Sequence, residues 1–439
     1  MKSYVPATRE EQQAMLEAMG VSSMEALLGD IPGEVRLNRP LKLPDGLSEV
    51  ETLRVIQGYA AENVTNKPLF RGAGAYSHFI PAIIPALTQR GEFLTAYTPY
   101  QFEMSQGMLQ AIFEYQSLIA RLTGMDASNA SVYDGATAAA EAMLMCRDSA
   151  RKDKLLVSQG LHPDVLGVLR TYAPCAGVEL VEIPLADGVT DLAAVEANAE
   201  GAAGLIAASP NYYGIIEDIA AMAERIHAVR GLMVAYVEPI SLGLLKKPGD
   251  LGADIAVGDG QPLGIPLSWG GPYVGFMAVK QRLLRNLPGR IIGETVDDDG
   301  NRAYVLTLQA REQHIRREKA TSNICSNQSL CAISAGIYLT AMGPQGLREV
   351  AEACLQKAHF LAEGIASVPG MELCYNKPFF MEFVVKSVLP ARVIDKAVRA
   401  KGIVGGLPLD EHRILYCATE MNTREEIDAL VAALKEVSL

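Results

Sequence analysis

Apolar residues recur three or four positions apart at Met104, Met108, Ile112, Tyr115, Ile119 and Leu122, and the run stops at Gly124. That spacing keeps one face apolar, so it predicts a long helix over about Glu103 to Leu122 with a glycine terminus. The pattern then alternates. Strand-like runs fall at Ala130 to Tyr133, Lys154 to Val157, Val178 to Pro184, Leu205 to Ala208, Leu232 to Val237 and Ile255 to Val257, with helical segments between most of them. Strand, helix, strand at this spacing predicts a mainly parallel sheet covered on both faces. Tyr273 to Val279 follows too closely for a crossover helix and reads as an antiparallel addition.

Both ends differ from this body. Thr8-Arg-Glu-Glu11, Ser22-Ser-Met-Glu25 and Ser48-Glu-Val-Glu51 match the capping box, in which a hydroxyl and a carboxylate satisfy the free amides of a helix start. Three short helices are therefore expected, with the proline-rich link Pro40 to Pro44 before the third. Residues 1–65 read as a helical arm without a core of its own. After about Gln328 the pattern turns helical to residue 368, then gives strand-like runs within Glu372 to Val385. A helix at Arg392 to Lys401, a strand at Ile414 to Cys417 and a helix capped by Thr423-Arg-Glu-Glu426 follow. The expected organisation is an α/β protein: the arm, a large mainly parallel sheet domain at 66–327 and a small C-terminal α+β domain at 328–439.

Composition narrows the possibilities. Of 439 residues 49% are apolar, yet no apolar run approaches the roughly 18 to 20 residues that span a bilayer. The net charge of −12 argues against nucleic acid, which calls for a basic face. The first residues, Met-Lys-Ser-Tyr-Val-Pro, carry no targeting pattern, so a cytoplasmic protein is expected. Seven cysteines without a CxxC pair or zinc-ligand spacing read as reduced thiols, and no metal is expected.

In such a sheet ligands sit beyond the carboxyl ends of the strands, so the loops there are read for chemistry. Asp134-Gly-Ala-Thr137 turns a strand into a helix start, and the free amides near Gly135 and Thr137 would make a phosphate cradle. An ordinary glycine turn explains the same residues, and Asp134 would repel an anion. His162 could stack on a flat cofactor or simply cap a loop. Glu238, at a strand end, could hold a pyridine nitrogen protonated or be a buried acid paired with a neighbouring donor. Phosphate loop, aromatic and carboxylate follow in the chain order of enzymes that use pyridoxal phosphate (PLP). The fourth member fails: where a lysine would form a Schiff base, the chain has Gln261-Pro262, and an amide cannot condense with an aldehyde.

Longer blocks carry a closer resemblance. Ala96-Tyr-Thr-Pro-Tyr-Gln101, Ser105-Gln-Gly107, Phe113-Glu-Tyr-Gln116, Asn129 to Thr137 and Thr307 to Gln328 resemble signatures of the glycine cleavage system P-protein family. The resemblance runs from the arm through the small domain, and is to the half of the two-chain form that corresponds to the N-terminal half of the single-chain form. It implies a fold-type I PLP-dependent transferase-like fold and a role in decarboxylating glycine, with transfer of the aminomethyl group to the lipoyl arm of the H-protein. It also implies that PLP and its lysine belong to the partner, glycine dehydrogenase subunit 2, in an α2β2 assembly. Nothing covalent is then expected on this chain. Its Gly135, Thr137, His162, Glu238 and Gln261 would form a vestigial pocket, with no catalytic residue expected in this chain alone.

Two groups are candidates for completing the partner's site or forming the interface. Tyr97, Thr98, Tyr100 and Gln101 could approach the partner's cofactor, or could form a rigid interface loop. Arg311 and Arg316, in the densest basic run, could pair with carboxylates across an interface or lie on a solvated face. The alternative is a self-sufficient PLP-dependent lyase or transaminase using Lys246 or Lys247, although a polar turn with solubilising lysines explains those two equally.

Overall fold

The computed structural model describes residues 6–65 and 67–438, which fall into two compact units divided at residue 65. In the first unit, α1 (Arg9–Ala18) and α2 (Glu49–Ala61) each begin at a reciprocal capping box on Thr8 or Ser48. The box expected at Ser22 does not form. Ala26–Leu28 makes only a single 3-10 turn, and Ser23 Oγ accepts from the Ala26 amide at 3.2 Å. Gly29 and Pro32 follow at once, leaving too few residues to offset helix nucleation.

The second unit begins with the short helices α3 (Ile83–Thr88) and α4 (Gly91–Leu94), then the long α5 (Gln106–Thr123), ended by Gly124 at φ +70°. There follow β1 (Ala127–Ser128), α6 (Gly135–Ala150), β2 (Lys154–Ser158), α7 (Pro163–Ala176) and β3 (Glu179–Ile183). A two-residue pair, β4 (Leu185–Ala186) and β5 (Val189–Thr190), leads to α8 (Leu192–Asn198), β6 (Ala202–Ala208), α9 (Ile219–Ala228), β7 (Leu232–Tyr236), β8 (Ile255–Asp259) and β9 (Gly275–Val279). The main sheet has the order β1-β9-β8-β7-β6-β2-β3. Strands β8, β7, β6, β2 and β3 are parallel, and β9 is antiparallel to both neighbours, as its sequence spacing requires. The strand expected at Ala130 to Tyr133 is shorter and displaced: β1 ends at Ser128, and only Val132 bridges to Gly275. Ser131 at φ +150° turns the chain there and interrupts pairing.

Alternate residues of each strand feed two apolar layers. Leu155, Val157, Ile206 and Val234 face α6 and α7. Leu156, Leu205, Met233 and Ala256 face the cluster that contains α9 and the long helix near the C-terminus. A fully buried parallel sheet needs both layers, which is why its strands read as continuous apolar runs.

A hairpin, β10 (Ile291–Val296) and β11 (Arg302–Thr307), is absent from the sequence expectation. Its turn carries Asp299-Gly300, a residue pair that favours such turns, and Asp297 Oδ1 accepts the Asn301 amide at 2.7 Å. The short α10 (Gln313–Arg316) precedes α11 (Ser329–Ala366), which is broken by non-helical Gly343 ahead of Pro344. The C-terminal sheet, in the order β12 (Met371–Leu373), β13 (Glu382–Ser387), β15 (Arg413–Cys417), β14 (Leu407–Pro408), is backed by α12 (Ala391–Ala400) and α13 (Arg424–Ser438). Its residues Phe383, Val385 and Tyr416 belong to the same apolar cluster as Leu156 and Met233.

The loop after β6 binds this second sheet. The Ile216 amide donates to Pro378 O at 2.9 Å, and the Phe380 amide to Gly214 O at 3.0 Å. Gly214 has φ +82°, and a Cβ there would collide with the backbone of Glu382. Gly214→Ala is therefore expected to destabilise the protein by at least about 2 kcal/mol. A urea midpoint unchanged from wild type would show that this approach imposes no constraint.

Candidate functional site

A cavity of about 410 Å³ opens beyond the carboxyl ends of β2, β6, β7 and β8, the position at which such sheets bind ligands. Ala136 at the start of α6, His162 after β2, Asn211 after β6, Glu238 after β7, and Asp259 with Pro262 at the end of β8 all line it. Ala73 to Tyr76 and Glu382 of β13 complete its wall.

Each polar wall group is held by the chain itself. Asp134 caps α6, its Oδ1 accepting from the Thr137 amide at 2.7 Å, and Asp259 Oδ2 accepts from the Gly135 amide at 3.1 Å. Asp259 Oδ1 also takes the Gln261 amide at 2.9 Å. Burial pushes the Asp259 carboxyl up to about 6, against these amide contacts, with the Asp134 charge adding to the rise. The His162 ring accepts the Asp164 amide on Nδ1 (3.1 Å) and donates from Nε2 to Ala73 O (2.9 Å). The Tyr212 ring meets it edge-on at 5.0 Å. Glu238 accepts the Ile240 and Ser241 amides at 2.9 and 2.7 Å, and burial raises its pKa.

Gln261 is 1% exposed. Its Nε2 donates to Tyr76 O at 2.9 Å and Ile265 O at 2.8 Å, and its Oε1 accepts the Tyr76 amide at 2.8 Å. Glu382 accepts the Ala73 amide at 2.6 Å and the Tyr76 hydroxyl at 2.8 Å, while burial lifts its carboxyl to about 7. Tyr76, Asp259 and Glu382 were not singled out from sequence. Asp259, two positions before Gln261, was within reach of that reading; Glu382 is more than a hundred residues away and joins the wall only through the second sheet.

Comparison with known proteins gives this geometry a lineage. The family profile described as glycine cleavage system P-protein matches residues 2–434. The chain belongs to this family. It is 52% identical to a probable glycine dehydrogenase (decarboxylating) subunit 1 of Moorella thermoacetica, over 99% of each chain. It superposes on the crystal structure of an inhibitor-bound glycine decarboxylase (P-protein) of the glycine cleavage system with a TM-score of 0.92 and 45% identity, covering 99% of this chain and 100% of the other. Lactobacillus brevis glutamate decarboxylase, 14% identical with a TM-score of 0.68 over 92% of this chain and 96% of its own, shares the fold alone. The fold is that of the fold-type I PLP-dependent enzymes.

The P-protein pocket of this chain does not fit PLP. Two amides that would cradle the phosphate already donate to Asp134 and Asp259, so an incoming phosphate would meet two carboxylates instead of free donors. The residue at the lysine position is an amide with three hydrogen bonds to backbone. Of the expected pocket residues, His162 and Glu238 line the cavity. The Gly135 and Thr137 amides are taken by the Asp259 and Asp134 carboxylates, and the side chains of His162, Glu238 and Gln261 bond to the chain's own backbone.

The other candidates lie elsewhere. Tyr100 lines a separate cavity of about 450 Å³ with Arg290, His314 and Arg317. Tyr97 and Gln101 are exposed, Thr98 is half-buried, and Thr98 O accepts the Tyr100 amide at 2.9 Å. Arg311 Nη2 donates to Gly289 O at 2.6 Å, and burial lowers the pKa of its guanidinium. Arg316 is exposed, its Nε donating to Ala310 O at 3.0 Å.

The raised carboxyls give a signed pH dependence. Glu382 titrates near 7 when folded against an ordinary value of 4.5, so the folded protein holds the extra proton between those values. Stability is then highest below about pH 4.5 for this group and declines as pH rises to 7, a loss on the order of 3 kcal/mol. Asp259, and Glu141 at about 7, act with the same sign. Glu382→Gln should flatten much of the slope in denaturation series at pH 5, 6.5 and 8. Identical slopes in variant and wild type would refute the assignment.

Proposed function

We propose that this chain acts as subunit 1 of a two-chain glycine dehydrogenase (decarboxylating) of the glycine cleavage system, working with a lysine-bearing subunit 2. In that assembly glycine is decarboxylated, the aminomethyl group passes to the lipoyl arm of the H-protein, and the partner holds PLP. The observation that carries this reading is Gln261. This member of a decarboxylase family keeps the pocket but fills its reactive position with an amide bonded to Tyr76 and Ile265.

In this reading residues 1–65 form an arm for the partner, 66–327 the large domain and 328–439 the small one, in an α2β2 complex in the cytoplasm. The exposed Val50, Leu53, Ile56 and Tyr59 of α2 support a docking role for the arm. Among the described residues no helix is long and apolar enough to cross a membrane. Tyr97, Thr98, Tyr100 and Gln101 approach the partner's site, and Arg316 pairs with a carboxylate across an interface. Arg311, whose Nη2 donates to Gly289 O, braces the turn before β10 beside that interface. The self-sufficient lyase is disfavoured because neither Lys246 nor Lys247 lines the sheet-end cavity.

Purified alone, the chain should show no glycine–bicarbonate exchange and no cofactor fixed by borohydride, and Gln261→Lys should not by itself create one. Exchange should appear when subunit 2 is added. A yellow, borohydride-fixable chain active alone would establish the lyase reading instead. In the assembled complex Tyr100→Phe is expected to lower exchange at least several-fold with assembly intact; unchanged turnover would count against its place at the shared site.

A further inference from the structure

Arg290 is 7% exposed, yet among the described residues no carboxylate lies within ion-pairing distance of its guanidinium. It sits between the Pro288-Gly289 turn and β10, with its backbone fixed by the Ala130 amide donating to Arg290 O at 2.8 Å. Its side-chain hydrogen bonds within the chain are both to neutral groups: Nη2 donates to the Tyr100 hydroxyl at 3.0 Å and Nη1 to Asn327 Oδ1 at 3.3 Å. The Tyr100 ring lies beneath it, 5.2 Å from Cζ to the centroid. A guanidinium carries five N–H donors, so these contacts leave donors unused.

A buried charge costs several kcal/mol unless it is paired, and this one lines a cavity of about 450 Å³. Glu312 and Glu318 line the same cavity, but Glu312 lies 3.7 Å from His314 and acts on Arg311, and neither pairs with Arg290. Asn327 is itself anchored, its Nδ2 donating to Ser131 Oγ at 2.8 Å, so its oxygen stays turned to Nη1. The result is a fixed cation with an aromatic floor and room in front of it.

We infer that this cavity is an anion site in which Arg290, positioned by Tyr100 and Asn327, binds a compact oxyanion, a carboxylate or a phosphate. Guanidinium geometry favours two-point contact with such groups, and hydrogen-bond partners that are both neutral leave its charge unpaired. The site is distinct from the sheet-end pocket, which turns carboxylates toward the place where an anion would sit. It does not depend on the glycine-cleavage reading and would stand if reconstitution with subunit 2 failed.

The test uses the full chain alone, with inorganic phosphate and acetate as separate probes against chloride at matched ionic strength. Wild type should bind at least one probe with a saturable rise in thermal midpoint, and phosphate and acetate curves show which oxyanion is preferred. Arg290→Gln should weaken that binding at least tenfold, and Arg290→Lys less. Because Arg290→Gln could disturb folding, Asn327→Asp supplies the second arm. It places a carboxylate beside Nη1, so it should raise the midpoint in probe-free buffer and abolish the response to the probe. A wild-type chain that responds to neither probe beyond chloride would overturn the proposal, as would undiminished binding in a folded Arg290→Gln or in Asn327→Asp.

Discussion

A helix that starts inside a protein leaves backbone amides that something must accept, and at Gly135 the chain's own carboxylates do so. Asp134 takes the Thr137 amide and Asp259 takes that of Gly135. From this arrangement a line of contacts extends outward. Asp259 holds the Gln261 backbone, the Gln261 side chain holds Tyr76 and Ile265, and Tyr76 meets Glu382 on the second sheet. A bound phosphate at the helix start would displace the first members and loosen those that follow.

The same wall lies where two apolar structures meet. The main sheet is buried on both faces, and one of its layers continues through α11 into the C-terminal sheet. Gly214 brings the loop after β6 against Glu382 with no room for a side chain. Polar groups caught at such a junction need internal partners, because water is excluded and an unpaired buried group costs about 1 to 3 kcal/mol. The raised pKa of Glu382 reflects that cost, reduced but not removed by its bonds to Ala73 and Tyr76.

Much of the parallel sheet was legible in the sequence because its signal is local. Strand and helix periods differ, and a strand buried on both faces is apolar throughout, so five parallel strands and antiparallel β9 could be read directly. The capping boxes at Thr8, Ser48 and Thr423 were equally local. The same motif at Ser22 misled, because Gly29 and Pro32 decide against a helix there. The hairpin of β10 and β11 was hidden between stronger signals. In the site, the absence of lysine at position 261 was visible, while the tertiary partners of Gln261 were not. Glu382 and Arg290 could not be read at all: what distinguishes them is burial and the groups they face, and neither leaves a pattern in neighbouring residues.

Enzymes that enclose a substrate usually work by gating: a segment closes for chemistry and opens for release, and the hinge must tolerate both states. The stretch from Ala73 to Tyr76 is instead tied into the cavity wall. It is bonded to Gln261 on one side and Glu382 on the other, with His162 bonded to Ala73 O, so three separate segments hold it. Where a reactive lysine would demand a door, the amide of Gln261 has built a wall.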